Sequence, residues 1–104
     1  MLNYSNVIGF DLGCHVDGTH GWRAISHLVL NVLDDYATES QKRIMRAYDR
    51  GWTIANIPDV AMEIVDEVED AFHEHVSSFG VTSMWMDGEW FVVTEEDALA
   101  ASGW

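Results

Sequence analysis

One apolar stripe constrains this chain more than any other feature. Ala61, Ile64, Val65, Val68, Phe72, Val76 and Phe79 recur at helical spacing and fall on one face of a long helix. Pro58 suits its first turn, where a missing N–H is not needed, and Gly80 is its natural stop. The spacing predicts a third helix from Pro58 to about Phe79, with elements on either side of it in sequence to cover the stripe.

After it comes Val81-Thr82-Ser83-Met84-Trp85-Met86, then Asp87-Gly88, then Glu89-Trp90-Phe91-Val92-Val93. Asp-Gly between two β-prone runs is a two-residue hairpin signal. It sets Trp85 opposite Trp90 and Met84 opposite Phe91. Both faces of such a hairpin carry large apolar groups, so one packs on the helices and the other needs a cover or a partner. Two strands alone are marginal in water, and Val7-Ile8-Gly9-Phe10 is the candidate third strand.

Asp17-Gly18 reads as a turn, and Thr19 as the N-cap of a first helix over roughly 20–36. Its stripe is Trp22, Ile25, Val29, Val32, Leu33 and Tyr36. Thr38-Glu39-Ser40-Gln41 fits a capping box for a second helix, with Ile44, Met45 and Tyr48 as apolar contacts and Gly51 as stop. Thr94-Glu95-Glu96-Asp97 caps a short last helix running to about Ala101. The expected class is α+β: a three-helix core packed on a β-hairpin, extended to a three-stranded antiparallel sheet if the N-terminal strand joins, with a short C-terminal helix.

Composition bounds the rest. At 104 residues and 48% hydrophobic, with five Trp, four Phe and three Tyr, residues 1–104 are expected to form a single domain with a real core rather than a disordered chain. The lone Cys14 makes no internal disulfide. Residues 1–10 carry no basic leader, and no run approaches the ~20 apolar residues of a membrane span. A cytoplasmic protein is expected, in the host cytoplasm if the source is a virus, with no membrane partner.

Net charge is -13, which opposes direct nucleic-acid or anionic-lipid binding and favours basic partners. The layout is uneven. The second helix, residues 39–50, holds Lys42, Arg43, Arg46 and Arg50 against Glu39 and Asp49. Outside it, Arg23 is the one Lys or Arg among all the remaining acids. Asp59, Glu63, Asp66, Asp70 and Glu74 line the helical face opposite the apolar stripe, and Glu67 adds to them. Like charges three and four apart repel by a few tenths of a kcal/mol per pair.

Two readings compete for this face. One is solvation alone, with partial neutralisation by the basic second helix. The other is a strip presented to a basic surface. Such a strip runs ~22 Å at 1.5 Å per residue, with a charge every ~5 Å against ~3.4 Å along one DNA strand. Asp34, Asp35, Glu89, Glu95, Glu96 and Asp97 would have to extend it for closer mimicry.

Other candidate groups give weaker patterns. Cys14, His15, Asp17, His20 and His27 are residue types that ligate zinc, but no C-x-x-C or H-x-x-x-H pair organises them. Cys14 beside His15 lacks a third orienting group for nucleophilic chemistry. In His73-Glu74-His75 the histidines are not one turn apart; His75 falls on the apolar face, as a neutral core-edge histidine, and His73 nearer the acids. Trp85, Trp90 and Trp104 serve either a recognition surface or core packing.

Val7-Ile8-Gly9-Phe10-Asp11-Leu12-Gly13 resembles the first-strand signature of the actin/Hsp70 ATPase and RuvC-type nuclease superfamily. That resemblance would place Asp11 beside a metal or phosphate, but it ends after these seven residues, where a helix-like pattern replaces the next strand. At class level, the size, acidity and lack of motifs resemble small phage-encoded inhibitors of the anti-CRISPR and anti-restriction, DNA-mimic type. This implies a non-enzymatic protein without cofactor that inhibits a basic nucleic-acid-binding protein or complex, and Asp59, Glu63, Asp66, Glu67, Asp70 and Glu74 are the expected partner-binding residues. The alternatives are a self-associating assembly protein, a homodimer in which the second helix of one copy meets the third of another or hairpins pair edge to edge, and a small metal-binding protein.

Overall fold

The computed structural model describes residues 8–51 and 57–102. Its class is α+β, with helices and a three-stranded antiparallel sheet.

The helix carrying the long stripe is α3, which spans Ile57–Val76. Ala61, Ile64, Val65, Val68, Phe72 and Val76 are all buried. The chain then tightens into a 3-10 turn, Ser77–Phe79, and Gly80 leaves it at φ 71, a left-handed angle that suits glycine. The tighter turn corrects one expectation. Phe79, the last residue of that turn, lies beyond the α-helix and is 39% exposed instead of buried with the stripe.

The second helix, α2, is Glu39–Asp49 and opens with the expected capping box. Gln41 N donates to Thr38 Oγ1 at 3.1 Å, and Thr38 N donates to Gln41 Oε1 at 2.9 Å. Met45 is fully buried, while Ile44 and Tyr48 pack against the core.

The first helical region is not one regular helix. A 3-10 stretch Gly18–Arg23, kinked at Gly21, leads into α1, Ala24–His27. A π-helical stretch Leu28–Val32 and a 3-10 turn Asp34–Tyr36 follow. Each change of period rotates the chain, so the expected stripe does not hold throughout. Ala24, Ser26, Leu28, Val29 and Leu33 are buried, Ile25, Val32 and Tyr36 are half-buried, and Trp22 is 52% exposed. The N-cap is Asp17 rather than Thr19: its carboxylate accepts from the Thr19 backbone N at 3.0 Å and from the Thr19 hydroxyl.

Strands β2, Val81–Met86, and β3, Glu89–Thr94, form the hairpin in the expected register, with Trp85 opposite Trp90 and Met84 opposite Phe91. Asp87 at φ 54 and Gly88 at φ 80 both lie in the left-handed region, as a two-residue type I′ turn requires. The third strand is β1, Gly13–Val16, on the other edge of β3. It pairs Gly13 with Val92, Cys14 with Phe91 and Val16 with Trp90, so His15 is the extra residue of a bulge. Of the strand expected at Val7-Ile8-Gly9-Phe10, Val7 lies outside the described residues and residues 8–10 join no ladder. Ile8 is buried instead, and Phe10 meets Phe72 edge-on at 5.2 Å. These side chains fill the core, which leaves pairing to the shorter segment after them.

The last helix, α4, is Glu95–Ser102, and its Asp97 N donates to Thr94 Oγ1 at 3.1 Å. The core lies between the helices and the inner sheet face. Trp90, Phe72, Leu28, Leu33, Met45 and Val16 are its largest fully buried members. Among the described residues no helix is long and apolar enough to cross a membrane.

Candidate functional site: the acidic face of α3

Helix α3 is buried along one side by α1, α2 and the sheet, so the side opposite must face solvent. Asp59, Glu63, Asp66, Glu67, Asp70 and Glu74 are all exposed there. The structure therefore brings the six expected residues together on one continuous helical face.

Among the described residues no α2 cation forms an ion pair with them. Among the described residues the one ion pair is Lys42 Nζ to Glu39, 3.7 Å apart and within α2 itself. Arg43, Arg46 and Arg50 are exposed and make no ion pair to α3. The polar link between the two helices is Gln41 Nε2 donating to Glu67 at 2.8 Å, from a neutral amide. Arg23 lies over the Trp22 ring, 4.9 Å from its centre, and Trp22 packs edge-on against Tyr48 of α2. Lys and Arg thus lie on and beside α2, and among the described residues none of them pairs with an α3 carboxylate.

The acids expected to extend the strip are divided. Asp35, Glu95, Glu96 and Asp97 are exposed, while Asp34 and Glu89 are half-buried. Glu89 accepts from the Gly18 backbone N at 3.3 Å, which ties the start of the first helical region to the hairpin.

One α3 carboxylate points the other way. Glu69 is half-buried against the sheet and accepts from Trp85 Nε1 at 3.0 Å, Trp90 Nε1 at 3.3 Å and the Ser83 hydroxyl at 3.2 Å. His73 Nε2 lies 2.7 Å from the same Ser83 oxygen. The cluster ties helix to sheet. It also corrects the roles of the two histidines: His73 is half-buried and hydrogen-bonded, and His75 is exposed beside Tyr36. The sheet covers the flank of α3 that holds Glu69 and His73, which the apolar stripe alone does not reveal. Trp85 and Trp90 are absorbed by the same contacts, and Trp104 lies outside the described residues.

The N-terminal candidates do not converge. Cys14 is exposed, and its thiol donates to the Val16 carbonyl. His15 Nε2 lies 2.7 Å from the Asp11 carbonyl oxygen. Asp11 precedes β1 instead of following a strand, unlike the ATPase and nuclease signature it resembles. Asp17 is held below its usual carboxylate range by its bonds to Thr19. His20 and His27 stack on one another at 4.2 Å. Burial, then the neighbouring His20, pushes the His27 imidazole below its ordinary range. Among the described residues no three His, Cys, Asp or Glu side chains are placed to hold a metal ion.

Sequence reasoning missed Glu69 as a buried anchor and Trp22 as an exposed aromatic. A carboxylate one helical step from the apolar stripe, in a chain with two tryptophans on the facing strand pair, was the available signal for the first. The chain matches no protein-family model, no curated protein and no solved structure.

Proposed function

We propose that the chain is a non-enzymatic acidic binding protein that docks the exposed face of α3 on a basic surface of a nucleic-acid-binding protein and so excludes the nucleic acid. The observation that carries this reading is the α3 face itself: six exposed carboxylates on one side of a helix, with no cation among the described residues in an ion pair with them. Holding like charges at helical spacing costs stability. A solvated surface does not need that concentration, whereas a cationic groove recovers the cost on contact. At physiological salt, charges interact over a Debye length of about 8 Å, so side chains projecting from an open helix face are the ones a partner feels.

The test starts with affinity capture from nuclease-treated lysate of the source cells, followed by purification of the recovered protein. Binding should weaken steeply as salt rises, and duplex DNA or RNA should compete with it. The triple variant Glu63→Gln/Asp66→Asn/Asp70→Asn should lose about tenfold in affinity, since exposed charge pairs contribute ~0.2–1 kcal/mol each. Unchanged affinity in the triple variant, or simultaneous binding of nucleic acid and inhibitor, ends this reading.

A further inference from the structure

Among the described residues the buried core lies on one face of the sheet. Alternation along the hairpin turns Val81, Ser83, Trp85, Trp90 and Val92 towards the helices. Met84, Met86, Phe91 and Val93 point the other way, and none of them belongs to the core cluster or packs on it. Phe91 is central on this outer face, between Cys14 on β1 and Met84 on β2. Met86 is 44% exposed. At the Val81 end, α4 adds Leu99, 71% exposed, which with Thr82, Glu95 and Ala98 lines an open groove of about 310 Å³.

The formally charged residues of the hairpin and α4 are all acidic. Asp87 sits at the turn, Glu89 on β3, and Glu95, Glu96 and Asp97 on α4, while no Lys or Arg follows Arg50 in the sequence. An apolar centre rich in methionine adapts to varied apolar side chains, and an all-acidic rim selects cations around them.

We propose that the outer sheet face docks a basic amphipathic helix of a partner protein. Size supports a helix. Six-residue strands span about 20 Å and three strands about 14 Å, which fits a helix of about 14 residues, ~21 Å long and ~10 Å wide. The footprint, roughly 300 Å², falls well short of the ~800 Å² per partner of a stable protein pair. A second copy of this chain would also set the same acidic rim against its own kind. The surface is separate from the α3 face and does not rest on the reading given for it.

A synthetic leucine–lysine amphipathic helix of about 14 residues is the probe, titrated against the full chain by fluorescence anisotropy. Two controls accompany it: a glutamate-for-lysine analogue, and a scrambled peptide of the same composition. The leucine–lysine helix should bind, and each control should bind at least about tenfold more weakly. Phe91→Thr should weaken binding by a similar factor. Met86→Thr/Leu99→Ser changes only exposed side chains and keeps the test intact if Phe91→Thr fails to fold. Glu63→Gln/Asp66→Asn/Asp70→Asn should leave the peptide's affinity within about twofold. Four outcomes overturn the proposal: no binding, equal binding of the scrambled peptide, loss in the α3 amide variant instead of the sheet variants, or a dimer in light scattering that Met86→Thr/Leu99→Ser dissolves.

Discussion

His20 and His27 stack with ring centres 4.2 Å apart and planes 16° apart. Burial opposes charging His27, and repulsion from the neighbouring His20 adds to that cost. Asp17 and Asp49 act in the opposite sense without reversing the shift. The sign follows from linkage. Above the ordinary imidazole value of 6.5, folded and unfolded chains both hold His27 neutral and it contributes no pH dependence. Below that value the unfolded chain takes up the proton first, and stability falls until the folded-state value is passed. His27→Gln should therefore lose less stability than the natural chain between about pH 7.5 and pH 5, measured by urea unfolding. Equal losses in both would show that the stack does not sense pH.

Between elements, the tie that holds α3 to the hairpin is Glu69, with two indole N–H groups and one hydroxyl on its two oxygens. Glu69→Leu strands those donors at the helix–sheet junction, each needing a partner that water reaches poorly. Unfolding in urea should show a loss of about 2 kcal/mol, with a smaller loss for Glu69→Gln, whose amide oxygen still accepts. What was legible at this scale was local. The capping box at Thr38, the Asp87-Gly88 turn, the α3 stripe as far as Val76 and the Thr94 cap are each written within a few residues, and each forms as read. What was not legible depends on neighbours distant in sequence. The choice between His73 and His75 follows from which flank of α3 the sheet covers. The irregular turns of residues 18–36 follow from fitting one segment to α2, α3 and the sheet at once. The six exposed acids could be read because they lie opposite the stripe. That no α2 cation forms an ion pair with them could not, because it depends on how α2 is rotated against α3.

For the whole molecule, the net charge of -13 is a standing repulsion that folding compresses. Raising monovalent salt from about 0.01 M to 0.15 M shortens the Debye length from ~30 Å to ~8 Å and screens most of it. The melting temperature should rise by several degrees over that range, where 1 kcal/mol corresponds to roughly 4–8 °C in a domain of this size. A flat response would mean that the carboxylates already repel as much in the unfolded chain. The same segregation that costs stability gives the molecule an electrical direction, with cations on and beside α2 and carboxylates over α3, the hairpin turn and α4.

The sheet order β1-β3-β2 places the last strand of the chain in the middle. During synthesis β1 emerges before β3 and has no strand to pair with until Glu89–Thr94 follows. Trp90, which fills the centre of the core, arrives in that same late segment. Helices can form along the way, but the sheet cannot be assembled piecemeal from the N-terminus. The sheet is complete only when β3 is available to both of its neighbours.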